Sequence, residues 1–216
     1  MADTLNDSLR AQLDSYITDH FVHEDDVLQS IQAEATRNEL PAISIRAFEG
    51  RLLQMLVHIA GAKQIVEIGT LAGYSAVWIA RALPAGGKLY TLEKSDKHAA
   101  VARANFERAG LNTRIELLVG DAQDLLKKLS PRNPFDMVFI DADRPQYQDY
   151  LEWAAENLRP GGVVAAHNAF RSGRVLAPEN DDDRFVREFN AALAKDNRFE
   201  AFVFAIGDGL ATAVRK

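Results

Sequence analysis

Up to about residue 60 the apolar positions recur at helical spacing. Three segments carry the pattern, LRAQLDSYITDHF, DDVLQSIQAEATRNEL and AFEGRLLQMLVHIA, with Pro41 breaking the second from the third. From Gln64 the period changes. Apolar runs at Gln64–Ile68, Lys88–Glu93, Ile115–Val119, Met137–Ile140 and Val163–Ala166 read as strands. Helical patterns over Tyr74–Ala82, Lys97–Ala109, Asp121–Leu129 and Tyr147–Asn157 fall between them. Repeated strand–helix alternation predicts a mostly parallel sheet with helices on both faces, an α/β doubly wound architecture. Near the end, DRFVREFNAALAKD reads as a helix, and FEAFVFAIGDGLATAVRK as two apolar runs around Gly207-Asp208-Gly209. A glycine turn between such runs predicts a hairpin, with antiparallel strands at the sheet edge. No repeat or linker divides the 216 residues, so one domain is expected, with a helical extension or lid over 1–60 and a cofactor-binding core over 61–216.

Composition narrows the function classes. Hydrophobic residues make up 47% and charged residues 26%, an ordinary globular mixture. The absence of cysteine excludes a disulfide framework and a thiolate metal site. A net charge of −6 argues against a broad nucleic-acid surface, because nonspecific affinity comes from neutralised phosphates. The polar start lacks an apolar signal core, and no stretch approaches the ~18 apolar residues of a membrane span, so the expected address is the cytosol.

The chemistry gathers at the strand ends. VEIGTLAGYS, residues 66–75, reads as a strand, a glycine turn and a helix start. That arrangement opens a nucleotide site beyond the carboxyl ends of a parallel sheet. The spacing is E-x-G-x-x-x-G over Glu67, Gly69 and Gly73, with Thr70, Tyr74 and Ser75 in the same turn. A dinucleotide binder carries its first glycine where Glu67 stands. At ~4 Å and an effective dielectric near 20, one charge pair is worth about 4 kcal/mol, repelling pyrophosphate and attracting a cation. S-adenosylmethionine, with its sulfonium and α-ammonium, meets that requirement, and its carboxylate can use N–H groups or the Ser75 hydroxyl at the helix start. Glu93 ends the second strand, 24 residues after Gly69, where a ribose acceptor is expected. Asp121, Ala122 and Gln123 follow the third strand and are placed to meet adenine. Asp141 and Asp143 follow the fourth.

These motifs, with FDMVFIDADRPQYQDYLEWAAENLRPGGVVAAHNAFRSGRV, resemble the cation-dependent O-methyltransferases, the family of the catechol and caffeoyl-coenzyme A O-methyltransferases. The resemblance runs from about Ile43 onward. It implies a Rossmann-like sheet of seven strands with the last antiparallel, a homodimer, and methyl transfer to one hydroxyl of a vicinal diol. It also implies cofactor contacts at Ile45 (through backbone), Glu67, Gly69, Ser75, Glu93, Ala122 and Asp141. A divalent cation would sit on Asp141 and on an Asp-Asn pair, which here is His167-Asn168. The family's lysine general base is Arg144 here.

Both departures touch the reaction. A phenol of pKa near 10 is about 0.1% ionised at pH 7, and half ionisation requires ~3 pKa units, or about 4 kcal/mol. A metal supplies this by Lewis acidity and a base supplies part of it. Guanidinium does not deprotonate, so Arg144 is left to stabilise a phenolate, to hold an acidic substrate group, or to face solvent. His167 reads as a ligand in a set suited to Mn, Fe, Co or Zn, as a general base, or as a spectator. The catalytic candidates are therefore His167, Asp141, Arg144 and Asn168. APENDDDR is expected as a solvated helix cap, Arg171 and Arg174 as solvent-facing, and Trp78 and Trp153 as packing residues. His20, His23, His58 and His98 suggest no shared site. Three rival functions remain: an RNA-modifying methyltransferase, a non-catalytic cofactor binder, and, most distant, a dehydrogenase.

Overall fold

Along β1 (Gln64–Ile68) successive side chains point to opposite faces, and both faces are buried. Ile65 joins one core cluster; Val66 and Ile68 join the other. A strand buried on both sides needs layers above and below it, which helices supply. The computed structural model describes residues 7–216.

Six further strands complete the sheet: β2 (Lys88–Glu93), β3 (Ile115–Val119), β4 (Phe135–Ile140), β5 (Leu158–His167), β6 (Phe199–Phe204) and β7 (Leu210–Arg215). Their order is β3-β2-β1-β4-β5-β7-β6. The pairings among β1 to β5 are parallel, and β7 runs antiparallel to both β5 and β6. The seven-stranded, mostly parallel sheet expected from the pattern is present. The hairpin differs in one respect: its second strand inserts beside β5 and leaves β6 at the edge. β5 also outruns the expected Val163–Ala166, because His167 pairs with Leu210 of β7. His167 therefore closes the strand rather than following it.

The helices are α1 (Asp7–Phe21), α2 (Asp26–Arg37), α3 (Ala47–Ala60), α4 (Tyr74–Ala82), α5 (Asp96–Arg108), α6 (Ala122–Leu129), α7 (Tyr147–Asn157) and α8 (Asp181–Lys195). α2 to α5 cover one face of the sheet, and α6, α7 and α8 the other. α3 lies against α4 so closely that a Cβ at Gly50 would come within 2.4 Å of the Trp78 ring. Trp153 donates its indole N–H to Ser130 Oγ at 2.8 Å and packs on Phe135. Both tryptophans are packing residues. Among the described residues no helix is long and apolar enough to cross a membrane.

Phe139 of β4 is fully buried at the centre of the sheet. Phe139→Ala is expected to cost about 3–5 kcal/mol, read as a lowered midpoint in urea denaturation.

Candidate active site

The first turn is shaped by glycines that no other residue can replace. Gly69 has φ +99°, and a Cβ there would lie 2.1 Å from the carbonyl oxygen of Asp141. The ends of β1 and β4 meet at this point, with the Asp141 N–H donating to the Ile68 carbonyl at 2.9 Å. Gly73, at φ +85°, caps α4, and a Cβ there would strike the Phe106 ring at 2.3 Å. Above these ends opens a cavity of about 420 Å³. Gly69, Thr70, Tyr74 and Ser75 line it, with the first turn of α4 presenting backbone N–H groups that the helix does not use. Ile45, Glu93, Asp121 and Ala122 also line it. Gly73 does not, because its role is to shape the turn.

Glu67 lies beneath this wall rather than in it. Its carboxyl group is fully buried and accepts hydrogen bonds from the Ser75 and Thr91 hydroxyls, both at 2.5 Å. Thr70 Oγ1 lies 2.6 Å from Thr91 Oγ1 and extends the network to the cavity. Burial pushes the Glu67 carboxyl up to about 8, against the two hydroxyl donors and with the help of Asp141 and Glu93. The Ser75 hydroxyl, expected to meet a ligand carboxylate, is thus already committed to Glu67.

Glu93 is held differently. The N–H groups of Leu71 and Ser95 donate to its two oxygens at 2.8 and 2.9 Å, and His98 Nδ1 lies 3.4 Å away. The turn after β1 and the start of α5 therefore fix the carboxylate at the cavity wall. Asp121 caps α6 by accepting from the N–H groups of Gln123 and Asp124. Gln123 is not on the wall, since its side chain donates to Asp149 at 2.6 Å.

Asp141, Arg144 and Asn168 line the other end of the same cavity. Asn168 follows β5 at φ +59°, a left-handed conformation that asparagine tolerates better than most residues. The Arg144 side chain joins no hydrogen bond or ion pair among the described residues, and its Nε is buried without a partner. The neighbouring cations are matched: Lys94 pairs with Asp143, and Arg171 with Asp183 at 2.9 Å.

His167 is buried behind this end, and its two nitrogens have different surroundings. Nε2 lies 3.0 Å from Glu49 Oε1, while Nδ1 lies 3.6 Å from Asp141 Oδ2, too far for a hydrogen bond. Burial disfavours the charged imidazole, but Asp141 and Glu49 outweigh it and push the pKa up to about 10. An imidazole so placed keeps its proton at neutral pH and is a poor general base.

The residues present fit a divalent cation. Nδ1 is a buried nitrogen with no hydrogen-bond partner, facing a carboxylate on the cavity wall. Among the described residues no three His, Cys, Asp or Glu side chains group to hold a metal, so the third protein donor would be the Asn168 amide.

Three further expectations need amending. Arg171 is not solvent-facing; it lines the cavity, and with Arg174 it pairs with Asp183, which is fully buried. In APENDDDR, Asn180 caps α8, while Asp183 is enclosed rather than solvated. Among the histidines set aside, His98 reaches the cavity. Glu49 was missed altogether, because within AFEGRLL it reads as one more polar position on a helix.

The sheet order and the cleft at the strand ends define a Rossmann-like methyltransferase. The sequence profile described as O-methyltransferase matches residues 18–216, and the chain belongs to that family. It is 42% identical to a catechol O-methyltransferase of Niastella koreensis, covering 98% of this chain and 100% of the relative. It is 40% identical to a catechol O-methyltransferase of Mycobacterium tuberculosis, over 79% of this chain and 77% of the relative. The fold matches an O-methyltransferase from Bacillus cereus in complex with SAH, with a TM-score of 0.88, 40% identity and coverage of 95% and 97%. It also matches one from Streptomyces achromogenes in complex with SAM, with a TM-score of 0.88, 34% identity and coverage of 95% and 96%. The protein is an S-adenosylmethionine-dependent O-methyltransferase acting on a small-molecule hydroxyl.

The raised pKa of Glu67 has a signed consequence. Its stabilising effect is complete below the unfolded value near 4.5 and is lost as pH rises to about 8, over which window up to about 5 kcal/mol is at stake. Glu67→Gln keeps the neutral form at every pH. Relative to the parent, its thermal midpoint should rise steadily from pH 5 to pH 8 in the ligand-free protein; a constant difference would refute the assignment.

Proposed function

We propose that the acceptor is a catechol-like or other hydroxy-aromatic molecule carrying an anionic group, bound between Asp141, Arg144 and Asn168. The observation that carries this reading is that these three side chains share one cavity with the cofactor wall, and that Arg144 is the lining guanidinium left without an ion pair. The relatives named catechol O-methyltransferase support the aromatic diol. In the transfer, a lone pair of the acceptor oxygen forms the bond to the methyl carbon. The carbon–sulfur bond breaks with its electron pair going to sulfur, and the hydroxyl proton passes to solvent. Glu93 accepts from the ribose hydroxyls, and the start of α4 receives the methionine carboxylate. Glu67, buried under Ser75, favours a cationic ligand above it, since a positive charge nearby stabilises its ionised form. Arg144 supplies a fixed positive charge for the phenolate or the acidic group.

A divalent cation held by Asp141, His167 and Asn168 would lower the pKa of the hydroxyl by Lewis acidity and orient both vicinal oxygens. Phe202, Phe204 and Val214, exposed on one face at the free end of the sheet, support the expected homodimer. The net charge of −6 supports a small acceptor over nucleic acid.

Methyl transfer is measured by mass spectrometry with catechol and with 3,4-dihydroxybenzoate. The carboxylated diol should have the higher kcat/KM. Arg144→Ala should reduce that value at least about 10-fold for the acid, an ion-pair loss of roughly 1.4 kcal/mol or more, and much less for catechol. Equal losses for both acceptors would show that Arg144 does not read the anionic group.

A further inference from the structure

Glu49 and His167 lie 118 positions apart, and the fold brings them together at 3.0 Å with each only 6% exposed. Glu49 sits in the first turn of α3, directly after the Ile43–Ile45 segment that lines the cavity. Its Oε2 accepts from the Arg46 N–H at 2.7 Å, which leaves Oε1 for His167. The turn between β6 and β7 closes over the carboxylate. A Cβ at Gly207 would lie 2.0 Å from Glu49 Oε1, so only glycine leaves room for this pairing. A carboxylate oxygen accepts, so Nε2 is the nitrogen that donates. Nδ1 is then directed toward Asp141, buried and without a hydrogen-bond partner.

We infer that Glu49 is a positioning residue that holds His167 by Nε2, so that Nδ1 is the ring nitrogen turned toward Asp141 and toward an ion bound there, and that this site selects borderline transition ions over Mg and Ca. The reason lies in the donors. An imidazole nitrogen suits Mn, Fe, Co and Zn, whereas a second carboxylate in its place would suit Mg and Ca. A ligating histidine depends on a partner at its other ring nitrogen, which sets the tautomer and raises the donor's basicity. Nothing else among the described residues contacts Nε2 within hydrogen-bond distance. The inference rests on the O-methyltransferase reading only for where the ion acts, since the selectivity itself is a property of binding.

The test reads metal binding directly. The full chain is stripped with a chelator, dialysed and titrated with Co²⁺, following its visible absorption band, and Mg²⁺ is then added in large excess. SAH affinity by calorimetry is measured in parallel on every protein. Co²⁺ should bind and resist Mg²⁺. Glu49→Ala should weaken Co²⁺ about 10- to 100-fold while SAH binding persists. Glu49→Gln, whose amide oxygen still accepts from Nε2, should recover most of the affinity. His167→Asp should let Mg²⁺ compete with Co²⁺.

The inference is overturned by no Co²⁺ band in a protein that binds SAH, by Mg²⁺ displacing Co²⁺ at equal concentration, or by unchanged Co²⁺ affinity in Glu49→Ala. Should Glu49→Ala fail to fold, Glu49→Gln and His167→Asp carry the decision. Full turnover in chelator would overturn the inference and leave the methyltransferase reading intact. Failure to bind SAH in the parent protein would overturn that reading instead.

Discussion

Two strand ends touch where β1 gives way to its turn, and the rest of the site depends on that contact. Gly69 takes a positive φ and carries no side chain, so the Asp141 backbone approaches to a distance that any Cβ would forbid. The turn after β1 and Asp141, which line the two ends of the cavity, are therefore parts of one rigid junction. Relative position of donor and acceptor is what a displacement at carbon needs most, because the reacting atoms must be held in line and close. The parallel sheet supplies the rigidity and the glycine the proximity.

Two buried ionisable groups flank this junction, and burial acts on them in opposite ways. Glu67 has only hydroxyl donors, so the loss of water dominates and its carboxyl holds its proton. His167 has a carboxylate near each nitrogen, so charge outweighs the loss of water. Each group is biased toward its protonated form in the ligand-free protein. A positive charge arriving nearby, whether a sulfonium or a metal ion, works against that bias at both places.

What could be read from the sequence follows from how each residue is attached. Glu93, Asp121 and Asp141 lie at the ends of apolar runs, and a parallel sheet sends all such ends to one rim. Their gathering could be deduced from periodicity and order alone. The side-chain directions could not. Glu67 reads as a ligand contact, but Ser75 and Thr91, on the neighbouring helix and strand, hold its carboxyl beneath the cavity wall. Asp183 sits in a run of acids that reads as solvated, yet Arg171 and Arg174, in the loop just before α8, enclose it. Glu49 gives no local signal, because its meaning depends on β5 and on the hairpin turn.

The place of β7 between β5 and β6 has a consequence for how the protein is born. A chain emerging from the ribosome amino end first has β1 to β5 available early, and with them the glycine turn that lines the cavity. His167 lacks its pairing partner Leu210, and Glu49 lacks the glycine turn that covers it, until the last strand has been made. The parallel half of the sheet can take shape early in translation, whereas the His167–Glu49 pairing must wait until β7 has been made.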